Sequence, residues 1–218
     1  MMDIAQIRRR LQARANKCER GDHDLNPDLR PEAPLRPAAV LVALVERGTE
    51  ISVLLTRRTD HLEHHPGQIS FPGGHIEETD QDAVAAALRE THEEIGVAPE
   101  RIQVLGRLDD YVTRTGFHVT PVVAAIRPPL DLTPDPHEVD AVFEVPLAFF
   151  LDPANHHRHE RVYEGVARSF YAMPYEDYYI WGATAGMLMN LYQTLMPASK
   201  DRPKDAPKDA PIDASRAN

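Results

Sequence analysis

The chain has 218 residues, 42% hydrophobic and 27% charged, the proportions of a folded globular protein rather than a disordered, collagen-like or coiled-coil one. Thirty-four acidic against 24 basic residues give a net charge of −10; this removes the basic footprint that generic nucleic-acid binding needs and leaves any anionic substrate in need of a local remedy, for which a divalent cation is the usual device. A single cysteine, Cys18, excludes a disulfide framework and a cysteine-based zinc site, no run of about eighteen apolar residues offers a membrane span, and the opening MMDIAQIRRRLQARANK lacks the apolar core of a secretory signal, so a cytoplasmic location is expected.

One domain is expected at this length, with a segment on either side. Residues 1–34 are read as an N-terminal helical arm and connection. Ile4, Ile7, Leu11 and Ala15 share one face of a short helix between Asp3 and Lys17, and the Pro-, Asp- and Arg-rich stretch from Glu19 to Pro37 is extended. Ala38 to Glu46 and Ile51 to Thr56 are β-like apolar runs around RGTE, predicting two strands joined by a turn. Arg57 to Gly74 reads as a loop broken by Pro66-Gly67 and Pro72-Gly73-Gly74. Gln81 to Ile95 is predicted helical, with Val84, Leu88, Thr91 and Ile95 as its inward stripe and Gly96 closing it.

Ile102 to Leu108, His118 to Ile126 and Val139 to Val145 are predicted strands, the last running into a short helical Pro146 to Leu151. Val162 to Ala172 and Tyr178 to Trp181 are predicted strands, and Ala183 to Leu195 a closing helix. The mixed order of strands and helices predicts an α/β or α+β sandwich over 35–197, with the strand pairing left open. The KDAP-repeating stretch over 198–218 has too little apolar surface to order itself and is expected to be a disordered tail.

The chemistry is concentrated in Gly73 to Val97, GGHIEETDQDAVAAALRETHEEIGV. At about 100° per residue, Glu90 and Glu94 lie about 40° apart on the helix surface, and Glu93 lies within about 60° of Glu90 on its other side. All three are expected to point away from the inward stripe. Like charges at this spacing destabilise a helix. A solvated acidic face is the plain explanation; a hard divalent cation with oxygen ligands is the functional one. The context favours the second: a Gly-Gly loop precedes the helix, Asp80 and Asp82 stand at its start, and Arg89 sits beside the first glutamate.

This segment resembles the Nudix box, which runs glycine, five residues, glutamate, seven residues, then Arg-Glu-apolar-X-Glu-Glu-X-Gly-apolar. Gly74 and Asp80 match the first half, with Asp for Glu. Arg89, Glu90, Glu93, Glu94, Gly96 and Val97 match the second. Eight residues instead of seven separate Asp80 from Arg89, and Thr91 takes the apolar position. The resemblance implies a Nudix-type α/β/α sandwich with a mixed sheet, and Mg²⁺ or Mn²⁺ as cofactor. It implies Glu90 and Glu94 as metal ligands, Glu93 as a further ligand or an activator of water, and Arg89 as the residue that orients the glutamates. Such a cation neutralises a diphosphate and supplies hydroxide, and Gly73 and Gly74 let the backbone approach the substrate closely.

Upstream, Leu54 to Gly74 (LLTRRTDHLEHHPGQISFPGG) resembles the signature of the coenzyme A pyrophosphatases within that family. Leu54, Leu55, Thr56, Arg58, Gly67, Phe71, Pro72, Gly73 and Gly74 match in register. Thr59 stands for Ser or Ala, and Glu63 reverses the charge of an expected arginine, with Arg57, His64 and His65 nearby to compensate. EVPLAFFLDP and IWGATAGML also resemble this subgroup. The implied reaction is hydrolysis of coenzyme A (CoA) or acyl-CoA to 3′-phosphoadenosine 5′-phosphate and 4′-phosphopantetheine. Arg58 is the candidate phosphate contact, against a structural ion pair to the acidic helix. Glu63 keeps open another nucleoside diphosphate derivative such as ADP-ribose, and a non-catalytic ligand-binding module is the reading from a different class. Neither a membrane nor a nucleic-acid partner is expected, and a homodimer is left open.

Eleven histidines include two clusters, His61/His64/His65 and His156/His157/His159. Neither has a zinc-binding spacing, and both are read as surface loops. Glu138 and Glu144 flank a predicted strand, and either could supply a further carboxylate. Tyr178, Tyr179 and Trp181 are read as core, and Cys18 as inert.

Overall fold

The structure, a computed structural model, describes residues 2–13, 18–32, 34–62, 66–163 and 165–196. Glu63, His64, His65 and the tail expected over 198–218 lie outside the described residues. In chain order the elements are α1 (Ile4–Gln12), β1 (Arg20–Gly21), β2 (Arg36–Arg47), β3 (Glu50–Arg58), β4 (Ile69–Ser70), β5 (Gly73–His75), α2 (Ala83–Ile95), β6 (Ile102–Arg107), β7 (Tyr111–Val112) and β8 (Phe117–Ile126). They continue with β9 (Val139–Pro146), α3 (Leu147–Leu151), β10 (His157–Tyr163), β11 (Val166–Tyr175), β12 (Tyr178–Trp181) and α4 (Gly182–Leu195).

β2 organises the molecule. Its run AAVLVALV is apolar at every position because both of its faces are covered. Ala39, Leu41, Ala43 and Val45 pack with Ala86, Ala87 and Ile95 of α2. Ala38, Val42 and Leu44 face the other way and pack with Ile7 and Leu11 of α1, Phe150 of α3, and Leu188 and Leu191 of α4. The result is the expected α/β/α sandwich. β2 pairs antiparallel with β3 and parallel with β8 from Arg36↔Phe117 to Val45↔Ile126, so the sheet is mixed. β9 extends it beyond β3, β6 and β7 pair with β8, and β10–β11–β12 form a separate antiparallel sheet. Among the described residues no helix is long and apolar enough to cross a membrane.

Four expectations are corrected. The loop expected over Arg57–Gly74 contains two short strands; β5 pairs antiparallel with β2 through Val40↔Gly73, Ala39↔Gly74 and Ala38↔His75. Glycines weaken the sequence signal of a strand but permit close backbone approach. The single strand expected over Val162–Ala172 is a hairpin, β10–β11, with Gly165 at φ 81° in its turn. The histidines expected on a surface loop at 156–159 are ordered differently: His157 and His159 lie in β10, and His159 is buried against Phe170. The helix expected from Gln81 begins at Ala83, because the Asp82 carboxylate caps it by accepting from the Val84 and Ala85 N–H groups at 2.8 and 2.9 Å. Gly96 closes it in the left-handed conformation, φ 78°, which glycine adopts without a Cβ penalty.

Candidate active site

The site is assembled by α2, β5 and the end of β3. The inward face of α2 includes Thr91 and Ile95 of the expected stripe but is otherwise formed by alanines and Glu94. Ala83, Ala86, Ala87, Thr91, Glu94 and Ile95 are the buried residues, and Val84 and Leu88 pack at the margin of the core. Alanines let the helix sit close over Ala39 and Ala43, and that contact carries Glu94 inward. The expectation that all three glutamates point away from the core is therefore corrected: Glu94 is 4% exposed. Thr91 fits the buried face because its hydroxyl donates to the Ala87 carbonyl at 2.6 Å.

Arg89 binds the box together. Its Nε and Nη2 donate to the two Asp80 carboxylate oxygens at 3.1 and 2.9 Å, and Nη2 also donates to the His75 carbonyl at 3.0 Å. Nη1 donates to Glu90 at 3.0 Å and to Glu93 at 2.9 Å. The Arg89 guanidinium lowers the Asp80 carboxyl below the usual range, and Asp80 in turn raises the Arg89 pKa. The extra residue in the spacer thus leaves Asp80 within reach of Arg89. Glu93 is the outermost of the three, its side chain 57% exposed.

The two glycines of β5 seat the other two glutamates. A Cβ on Gly74 would lie 2.5 Å from the Glu90 carboxyl carbon and 2.6 Å from both of its oxygens. The Gly73 N–H donates to Glu94 Oε2 at 3.3 Å, and Gly73 itself has φ 149°. Burial pushes the Glu90 carboxyl up, opposed by Arg89. Glu94 is pushed up to about 8, first by burial and further by Glu138 and Glu90, against the opposing effects of Gly73 and Arg58. The backbone of Gly73 and Gly74 therefore contacts the carboxylates.

Arg58 ends β3 beside Glu94 and is half-buried, its Nε without a hydrogen-bond partner among the described residues. Of the two further carboxylates, Glu138 belongs to a turn that is bonded to the end of α2, the Asp135 N–H donating to the Glu94 carbonyl and the Glu138 N–H to the Asp135 carbonyl, and its charge raises both the Glu90 and the Glu94 carboxyl. Glu144 is held by Arg47 Nε at 3.1 Å instead. Tyr178 stacks on Phe143 with ring centroids 3.6 Å apart and Trp181 meets Phe170 edge-on; both rings are engaged in packing. Cys18 is exposed.

Every candidate donor here is an oxygen, which suits a hard divalent cation. Among the described residues, no group of three or more His, Cys, Asp or Glu side chains is placed to hold a metal ion, and Glu90 and Glu93 accept from Arg89.

The family model described as the NUDIX domain matches residues 34–166. The chain belongs to the Nudix family. It is similar to the protein described as the uncharacterized Nudix hydrolase NudL of Enterobacter sp. (strain 638), 42% identical over 156 residues that cover 72% of this chain and 81% of that one. The NudL of Escherichia coli (strain K12) gives the same identity and coverage. Among solved structures, a MutT/nudix family protein from Enterococcus faecalis matches with TM-score 0.46 and 16% identity over 90% of this chain and 81% of that one.

In this Nudix box the Arg89 contacts give a direct test. An ammonium cannot reproduce a fork onto Asp80 while holding Glu90 and Glu93. Arg89→Lys is expected to lower kcat about 10–100-fold, the usual cost of removing a group that orients metal ligands, with the fold intact by circular dichroism. Wild-type kcat in that variant would remove Arg89 from the positioning role.

Proposed function

We propose that this chain hydrolyses the diphosphate bond of CoA or acyl-CoA, with Mg²⁺ or Mn²⁺, to 3′-phosphoadenosine 5′-phosphate and 4′-phosphopantetheine. The observation that carries the reading is the pair of shielded carboxylates: Glu94, buried and hydrogen-bonded to the Gly73 N–H, and Glu90, fitted so closely to Gly74 that a Cβ would not fit. Burial of two like charges is costly unless a cation compensates them. Glu90 and Glu94 would hold that cation. The chemistry it supplies when bound is neutralisation of the diphosphate and acidification of water.

The other roles follow from position. Arg89 keeps Glu90 and Glu93 in place. Glu93, outermost and held at one oxygen by Arg89, accepts the proton of the attacking water. Glu138 adds a carboxylate whose charge acts on Glu90 and Glu94. Arg58, a half-buried cation beside Glu94, binds a substrate phosphate. Gly73 and Gly74 let the backbone come close enough for the diphosphate to reach the carboxylates. Water adds across the P–O–P bridge: one new P–O bond forms, the bridging P–O bond breaks, and the leaving phosphate takes the electron pair.

CoA as the substrate rests on the signature from Leu54 to Gly74, which matches at nine positions. Glu63 in place of an arginine favours a second reading, an ADP-ribose-like nucleoside diphosphate. Incubation of the protein with CoA or ADP-ribose and Mg²⁺ or Mn²⁺, with products weighed by mass spectrometry, separates them. The expected product is 4′-phosphopantetheine. Cleavage of ADP-ribose with CoA intact would keep the chemistry and replace the substrate. CoA binding with no turnover of any diphosphate would replace catalysis with ligand binding.

A further inference from the structure

We infer that Thr59 is a positioning residue, whose hydroxyl and main-chain N–H clamp the turn at Asp135–Glu138 so that the Glu138 carboxylate is held facing Glu90 and Glu94. This rests on the reading above that Glu138 serves the cation site.

The turn is tied at both ends. At one end, the Asp135 N–H donates to the Glu94 carbonyl at 2.9 Å and the Thr133 N–H to the Ile95 carbonyl at 2.9 Å. The turn therefore satisfies the last carbonyls of α2, groups that lack intrahelical partners. Within the turn, the Asp135 carbonyl accepts from the Glu138 and Val139 N–H groups at 3.1 and 2.8 Å, and its carboxylate accepts from the His137 N–H at 2.8 Å. At the other end, the Thr59 N–H donates to the Glu138 carbonyl at 3.0 Å, and the Thr59 hydroxyl donates to the His137 carbonyl at 3.1 Å.

Thr59 is 7% exposed, so water cannot readily replace its hydroxyl, and losing one would leave the His137 carbonyl short of a donor. Both tied ends adjoin working residues: Glu94 itself supplies one acceptor, and Thr59 directly follows Arg58. The pairing of β3 with β9 is irregular at this point, passing from Arg57↔Ala141 to Arg58↔Val139. A bulge of this kind re-aims side chains beside a site, and it also frees the turn from the regular ladder, so side-chain bonds must fix it. Glu138 is itself exposed and has no buried surroundings to orient it. Its placement therefore depends on the main chain that Thr59 holds.

The test uses Mn²⁺ alone, titrated by isothermal calorimetry or electron paramagnetic resonance into the full chain, so it does not depend on the identity of the substrate. The variants are Thr59→Val, Thr59→Ser, Glu138→Gln and the double variant Thr59→Val/Glu138→Gln, each checked for folding by circular dichroism. Thr59→Val is expected to weaken Mn²⁺ about tenfold, the lower end of the usual effect for groups that orient a metal site. Thr59→Ser should restore most of that loss, and it keeps the comparison usable if the valine variant folds poorly. Glu138→Gln should weaken Mn²⁺ at least as much as Thr59→Val, and the double variant no more than Glu138→Gln alone, because the two residues act as one unit. A further tenfold loss in the double variant would overturn the clamp by showing that Thr59 acts on something other than Glu138. So would a Thr59→Val variant with wild-type affinity beside a weakened Glu138→Gln. Wild-type affinity in Glu138→Gln would instead overturn the reading of Glu138 on which the clamp rests.

Discussion

Glu94→Gln is expected to abolish metal-dependent turnover and, in metal-free protein, to raise stability at neutral pH. The loss of turnover should be at least about 10²–10³-fold, the size seen when one electrostatic group of a reaction site is removed. The gain in stability has a separate cause. Glu94 has an ordinary pKa of 4.5 in the unfolded chain and about 8 in the folded one, chiefly through burial. Below pH 4.5 both states carry the proton and Glu94 contributes its full stability. Between 4.5 and 8 the unfolded state ionises while the folded state does not, so stability falls as pH rises. Above 8 the loss is constant.

Glutamine does not titrate, so the variant should gain on the wild type through that window. At about 1.4 kcal/mol per pH unit over the 2.5 units from 4.5 to 7, the gap at pH 7 is at most about 3.5 kcal/mol. It is reduced by the cost of burying an amide whose NH₂ group lacks an acceptor. Bound Mg²⁺ or Mn²⁺ reverses the order, since it stabilises only the chain that binds it. Thermal unfolding of both proteins at pH 5, 6, 7 and 8, with EDTA and then with Mn²⁺, reads both effects. A stability difference that stays flat with pH in EDTA would sink the buried-carboxylate account, and equal stabilisation of both proteins by Mn²⁺ would remove Glu94 from the cation site.

Signals that act over a few residues made much of this molecule readable. The apolar run Ala38–Val45 within β2 reads as a strand, although its central place in the sheet does not follow from it. Gly96 marks the end of α2 by capping chemistry that acts within a few residues. Arg89, Glu90, Glu93 and Glu94 are recognisable because their spacing is local. What escaped the sequence is non-local or carried by small residues. β5 is nearly all glycine and has no side-chain pattern to read. Glu94 was expected outside because Val84 and Leu88 outweigh three alanines in any count of hydrophobicity, whereas the packing distance over Ala39 and Ala43 favours the alanines. His159 was read as a surface residue because it stands in the polar run HRHER that opens β10. The choice of Glu138 over Glu144 depends on the β3–β9 irregularity and on Thr59, which is 78 and 79 residues from its two partners, His137 and Glu138.

Gly74→Ala should leave the fold intact and disable the site. Gly74, unlike Gly73, does not have the positive φ that strains an L-residue, so its backbone accepts alanine. The added Cβ would nonetheless sit 2.5–2.6 Å from the Glu90 carboxyl group, well inside any real contact. Glu90 cannot simply swing aside without leaving Arg89, which holds it at 3.0 Å. The carboxylate must therefore abandon the position from which it would meet the cation. Turnover and Mn²⁺ affinity are each expected to fall about 10–100-fold, with a melting temperature close to that of the wild type. Gly73→Ala is the contrast: its Cβ would lie 2.3 Å from the Ala39 carbonyl oxygen and 2.6 Å from the Val40 Cα, both backbone atoms of the central strand, and φ 149° adds strain. That variant should lose stability first, and activity as a consequence. Adjacent glycines thus differ in what an added Cβ meets first, a carboxylate at Gly74 and the central strand at Gly73, and measuring Mn²⁺ binding beside thermal unfolding for both tells the two variants apart. Wild-type Mn²⁺ affinity in Gly74→Ala would mean that Glu90 does not meet the cation from its place against β5, and the ligand pair would have to be redrawn around Glu94.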